Sequence, residues 1–169
     1  KKLDALPSSN FEICYHGRYH GIPNVSNNDE MRSLSYNGFI ELWNAMKQDV
    51  NIANLSNKFI DIIRPPAMYM SSEAIEAASD LGIKCLALSP RQIHKSSYNG
   101  AENKTHCHVV YANAWLPDDN PANVAKTENS VCILYHACTW DRGYLDDDMV
   151  ADLISLIHKY DFDFSFIED

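Results

Sequence analysis

Basic residues are scarce in this chain. Against 23 Asp and Glu stand 14 Lys and Arg, for a formal net charge of −9. A surface of that sign repels phosphate backbones, which argues against non-specific nucleic-acid binding. Long hydrophobic runs are missing too: none approaches the roughly 18–20 residues that a membrane helix needs. The opening residues KKLDALPSSN carry no apolar stretch of the kind a signal peptide uses. No Walker loop and no G-x-G-x-x-G occurs, so phosphate and dinucleotide sites have no support; G-x-S-x-G is absent as well. None of the five cysteines (Cys14, Cys85, Cys107, Cys132, Cys138) belongs to a C-x-x-C pair.

What is present describes a soluble globular chain. Its 169 residues suit a single domain, and 46% hydrophobic with 22% charged residues is ordinary for that class. The cysteines sit in apolar runs such as VCILY and IKCLAL. They read as buried free thiols of a reducing, cytoplasmic setting. A secreted domain with two disulfides and one leftover thiol is the alternative. The three Asn-x-Ser/Thr sequons, at Asn24, Asn54 and Asn103, are too common by chance to argue for secretion.

Strand-like and helix-like patterns alternate along the chain. Strands are expected over residues 11–15, 59–63, 83–88, 106–111, 131–135 and 162–167. Phe39, Trp43, Met46 and Val50 recur at helical spacing, predicting a helix over residues 31–50 that Asn37 and Gly38 weaken. Pro65 and Pro66 stop the second strand. Ser71 or Ser72 caps a helix through Ser79–Asp80, and Gly82 lies just past its end. A last helix follows Asp146, Asp147 and Asp148, with Met149, Val150, Leu153, Ile157 and Tyr160 on one face. Six strands with intervening helices imply βαβ units and a mainly parallel sheet. Sites in such folds sit at the C-terminal ends of strands.

That rule selects three places. His16 and His20 form an H-x3-H pair directly after the first strand, and i, i+4 spacing lets two imidazoles share a metal. The ordinary alternative is two surface histidines. Arg64, before Pro65 and Pro66, can hold a carboxylate bidentately or be a surface arginine beside a rigid turn. His136 ends the most apolar strand, as a general acid or base or as a rim histidine with a satisfied hydrogen bond. His106 and His108, two apart on a strand, are a competing metal pair.

The order of these pieces resembles the polysaccharide deacetylase family (NodB homology, carbohydrate esterase family 4). Glu12–His20 (EICYHGRYH) is similar to its E-[IV]-x-x-H-[GST]-x-x-H motif, Ile63–Pro66 (IRPP) to F-R-P-P, and Ile133–His136 (ILYH) to L-x-H. The resemblance implies an α/β fold with mainly parallel strands, an incomplete or distorted (β/α)7-type barrel, with residues 1–169 forming one deacetylase-like domain. It implies a divalent metal, Zn²⁺ first, on His16 and His20, and hydrolysis of N-acetyl groups on a polysaccharide or related amide. Arg64 would orient a catalytic aspartate, and His136 would protonate the leaving amine. Leu134 would line the pocket for the acetyl methyl; Ala67 and Tyr69 would form part of the substrate groove. Trp140, with Tyr144, would stack on sugar rings. The chain departs from the family in three places. No T-F-D-D strand precedes His16, Ala67 stands where the family has an aromatic residue, and Ser89-Pro90-Arg91 replaces D-x-x-D-W. The catalytic aspartates are therefore expected from a segment not in this chain, carried by a second polypeptide, with self-association as the other outcome. A catalytically inactive domain of the same kind, binding glycan or a protein partner, is the alternative function.

Overall fold

Phe39, Trp43 and Met46 fall on one face of a helix, and all three are buried. The computed structural model of the chain describes residues 2–88, 106–115, 119–124, 126–134, 147–160 and 162–167. These residues divide into two compact units, one ending at Val110 and the other running from Tyr111 to Ile167.

The first unit begins with β1 (Ile13–Tyr15), followed by α1 (Tyr36–Ile52), β2 (Phe59–Ile63), α2 (Ser72–Asp80), β3 (Cys85–Leu88) and β4 (His108–Tyr111). The first helix starts at Tyr36, not at residue 31. Ser35 takes extended backbone and its hydroxyl accepts the Gly38 N–H, so the chain enters the helix there. At the other end Asn54 (φ 57°) turns out of the helix in the left-handed region that Asn tolerates. Ser71 caps α2 by accepting the Ala74 N–H at 3.0 Å, and its own hydroxyl donates to the Leu34 carbonyl. Gly82 follows α2 with φ +71°.

The four strands lie in sequential order β1-β2-β3-β4. β1 pairs parallel with β2 (Ile13 with Phe59, Tyr15 with Ile63), and β2 parallel with β3 (Ile62 with Cys85, Ile63 with Leu86). The His108 N–H donates to the Lys84 carbonyl at 2.9 Å, which brings in β4. Every residue of β3 is buried, as expected of an inner parallel strand covered on both faces. α1 packs against α2, helped by the small residues Ala74, Ala77 and Ala78 and by a Tyr36–Asp80 hydrogen bond of 2.8 Å. Both crossovers therefore cover the same face of the sheet. On that face the Tyr15 ring meets Trp43 edge-on, with centroids 4.6 Å apart, and Phe59 at 5.1 Å. Burying a side chain of this size contributes about 1.5–3 kcal/mol. Lys47 lies over the Tyr15 and Trp43 rings and pairs with Asp61 at 2.6 Å.

The second unit holds β5 (Ala114–Trp115), α3 (Pro121–Val124), β6 (Ile133–Leu134) and α4 (Asp147–Lys159). β5 and β6 pair in parallel. The Asn113 amide extends that ladder, accepting the Cys132 N–H and donating to the Ser130 carbonyl. Asp147 and Asp148 open α4 and His158 and Lys159 end it, both in keeping with the helix dipole. Two expectations need correction. Residues 162–167 form no strand. On α4 the half-buried stripe is Met149, Leu153, Leu156 and Tyr160, while Val150 and Ile157 are exposed. The strands over 11–15, 83–88 and 106–111 are shorter than expected; of that over 131–135, Ile133–Leu134 is strand, 131–132 are not, and Tyr135 lies outside the described residues. Of the cysteines, Cys85 and Cys107 are buried, Cys14 and Cys132 half-buried, and no disulfide joins them; Cys138 lies outside the described residues. No helix among the described residues is long and apolar enough to cross a membrane.

Candidate functional site

β1 delivers a buried Tyr15 and then an exposed His16. Beyond it the chain must curl sharply to bring His20 back, and three residues make that curl. Gly17 has φ +99°, and a Cβ there would meet Glu30 Oε2 at 2.2 Å and Pro66 Cγ at 3.2 Å. Only glycine fits between that carboxylate and the R-P-P turn. His20 adopts φ 65°. Gly21 presses on the Ser26–Asn27 backbone so closely that a Cβ would lie 2.1 Å from the Ser26 carbonyl oxygen.

Glu30 holds the inside of the curl. It is 7% exposed, and its carboxylate accepts three consecutive backbone N–H groups: Arg18 at 2.9 Å, Tyr19 at 3.1 Å and His20 at 3.1 Å. Outside, the Arg18 guanidinium grips Asp49 of α1 with two contacts, of 2.7 and 3.2 Å. That hydrogen bond keeps the exposed Arg18 guanidinium protonated to still higher pH than usual.

The two imidazoles are held alike. His16 Nδ1 lies 2.7 Å from the Arg64 carbonyl oxygen, and His20 Nδ1 lies 2.6 Å from that of Asn27. A carbonyl only accepts, so each Nδ1 carries a proton, and in the neutral ring the lone pair lies on Nε2. Metal-ligating histidines show this arrangement, the second ring nitrogen donating to a carbonyl or carboxylate. The ring centroids stand 5.0 Å apart at 62°. Two imidazoles on one tetrahedral ion, with nitrogens about 2.0–2.1 Å from it, place their centroids roughly 5.2 Å apart. The observed separation is close to that spacing. Among the described residues no group of three His, Cys, Asp or Glu side chains is placed to share a metal.

Arg64 reaches this site through its backbone. Its N–H donates to the Tyr15 carbonyl at 2.9 Å and its carbonyl accepts from His16, while Nη2 lies 3.8 Å from Met68 Sδ. Burial pushes the Cys14 thiol above its ordinary value, with the Arg64 guanidinium pulling the other way. After Pro65 and Pro66, both buried, Ala67 (φ 48°) and Met68 (φ 59°) take left-handed backbone in succession. The N–H groups of Met68 and Tyr69 close this turn on the carbonyls of Pro65 and Pro66. The Tyr69 ring carries the Arg32 guanidinium 4.0 Å from its centroid.

The structure thus joins His16, His20 and the Arg64 backbone, with Ala67 and Tyr69 in the turn that follows. Leu134 belongs to the second unit, where it ends β6 nearly buried. His136, Trp140, Tyr144 and the stretch Ser89-Pro90-Arg91 lie outside the described residues. His106 and His108 are both exposed, and the His106 N–H donates to Ser79 Oγ. Glu30, Asn27 and Asp49 escaped the sequence reading. The only signal for them was a second glycine, Gly21, closing the histidine loop. Comparison with family models, with curated proteins and with solved structures finds no match to this chain.

Proposed function

We propose that this chain is a metal-dependent hydrolase of N-acetyl groups on a polysaccharide or related amide, built as an incomplete (β/α) barrel of the polysaccharide deacetylase kind. The observation that carries the reading is the matched pair of Nδ1-to-carbonyl hydrogen bonds on His16 and His20 at the end of β1. Strands in sequential order, with both crossover helices on one face, support the barrel, because a doubly wound sheet places helices on both faces.

His16 and His20 hold a divalent metal, Zn²⁺ first, through their Nε2 atoms, and a carboxylate supplied in addition makes the third ligand. When bound, the metal polarises an amide carbonyl and makes water acidic enough to attack it near neutral pH. The exposed histidines give a bulky polymer access to the site. In this reading Arg64 orients the aspartate base, and His136 delivers a proton to the leaving amine. Leu134 lines the acetyl pocket, Ala67 and Tyr69 border the groove, and Trp140 stacks on a sugar ring.

The test combines zinc titration with acetate release from chitin oligosaccharides and peptidoglycan. Together with the polypeptide that supplies the aspartates, wild-type protein binds zinc and releases acetate; His16→Ala and His20→Ala each lose zinc and reduce the rate at least about 100-fold. Activity indifferent to both substitutions overturns the mechanism and directs attention to His106 and His108. Glycan binding without acetate release, in wild type and variants alike, identifies the non-catalytic alternative.

A further inference from the structure

The sequence motif explains which residues stand at positions 16 and 20, but not what orients the second imidazole. His16 follows directly on a strand and is held by the carbonyl of Arg64, at the end of the neighbouring strand. His20 has no such frame. It lies on an exposed loop, its backbone is left-handed, and its ring partner is the carbonyl of Asn27, farther along the same connection between β1 and α1. Something must hold these two loop segments in register.

We propose that Glu30 is the positioning residue for His20: by gathering the N–H groups of Arg18, Tyr19 and His20 onto one buried carboxylate, it clasps residues 18–20 to residues 27–30 and so aims His20 Nε2 beside His16. Three geometric facts carry this. The carboxylate takes three charge-assisted hydrogen bonds, the strong kind, from successive residues. It lies three residues beyond Asn27, so one short segment supplies both the clasp and the acceptor for the His20 ring. The space it occupies exists only because residue 17 has no Cβ. In between, the Ile22 N–H donates to Ser26 Oγ, and the N–H groups of Val25 and Ser26 both reach the Ile22 carbonyl, so the joining turn is itself closed. Glu30 touches neither metal nor substrate in this account. It acts through His20, and its effect on metal rests on the reading of the pair as a metal site.

The experiment is Glu30→Gln in the full chain. The amide keeps the shape but puts an NH₂ against an N–H donor, so the clasp loses at least one bond. Imidazole ¹⁵N spectra at mildly alkaline pH read each ring's tautomer. In the wild type both rings are Nδ1-protonated. In Glu30→Gln, His20 shifts toward the Nε2-protonated form while His16 does not, and zinc affinity falls about 10–100-fold, as for other residues that orient metal ligands. A merely structural role for Glu30 would lower thermal stability and leave the His20 tautomer in place; that result, in a folded variant, overturns the proposal. So does a tautomer shift with unchanged zinc affinity. If the wild type binds no zinc, the metal reading fails, and the His20 tautomer alone still decides whether Glu30 orients the ring. Should Glu30→Gln fail to fold, hydrogen exchange in the wild type decides. Protected amides at Arg18, Tyr19 and His20 uphold the clasp, and exchange at the rate of a free peptide refutes it.

Discussion

His16 donates its Nδ1–H to the backbone carbonyl of Arg64 across 2.7 Å, joining the H-x3-H stretch to I-R-P-P, 48 positions on. The arginine of the I-R-P-P stretch thereby serves the histidine pair with a main-chain atom, whatever its guanidinium does. The geometry follows from parallel pairing. Tyr15 sits opposite Ile63, so the residues after them leave the sheet side by side.

Gly17 has little freedom to change. Its φ of +99° and the 2.2 Å separation that a Cβ would have from Glu30 Oε2 act together. The carboxylate cannot swing aside without releasing three N–H groups. Gly17→Ala is expected to cost about 2–4 kcal/mol in urea unfolding and to abolish zinc binding. A variant as stable as wild type would contradict this picture of the loop.

Ala67 offers the opposite case. An L-residue at φ 48° is strained by roughly 1–2 kcal/mol, and glycine removes the strain while adding freedom to the unfolded chain. Ala67→Gly should stabilise the protein by about 0.5–1 kcal/mol, a rise in Tm of about 1–4 °C. Calorimetry showing a lower Tm would mean that the Ala67 methyl packs better than the turn suggests.

Trp43 holds α1 on the sheet through Tyr15, and Trp43→Ala empties that contact. The expected loss is about 3–5 kcal/mol, with the urea midpoint lowered and the m-value kept. A loss below about 1 kcal/mol would place the core elsewhere.

Stability should decline in alkali. Four groups hold their protons more tightly in the folded protein than their ordinary values of 9.0 (Cys14), 10.0 (Tyr15, Tyr36) and 10.5 (Lys47). Burial dominates for Cys14 and Tyr15. A hydrogen bond to Asp80 dominates for Tyr36, and one to Asp61 for Lys47. The unfolded chain therefore releases these protons first as pH rises. Their contribution is complete below about pH 8 and is lost progressively from about pH 9 upward. Melting curves from neutral pH to about 11 test this; a Tm that stays level or rises across that range would contradict it.

Much of the first unit was legible in the sequence. Residues 59–63 form the strand that their β-branched run predicts, and α2 begins and ends where Ser71 and Gly82 indicate. These signals are local, carried by neighbours in the chain. The start of α1 was misplaced because Met31 is apolar and buried, as a helix residue would be, yet it lies in the segment leading to the Ser35 cap. Over residues 162–166 aromatic and polar side chains alternate as in a strand, but side-chain alternation supplies no partner for the backbone. The histidine pair was readable because its spacing is the signal. Glu30 was not, because an acidic residue buried by hydrogen bonds from 10 to 12 positions earlier looks in the sequence like any surface glutamate.

The sequential order of β1, β2, β3 and β4 bears on how the chain emerges during synthesis. Each new strand finds the edge it needs already made, and none waits for a strand still inside the ribosome. Docking the second strand on the first closes the intervening segment, α1 included, before any longer-range pairing is required. Nascent chains arrested once Arg64 has cleared the exit tunnel already expose both partners of the His16–Arg64 hydrogen bond, so half of the histidine pair can form before the later strands emerge.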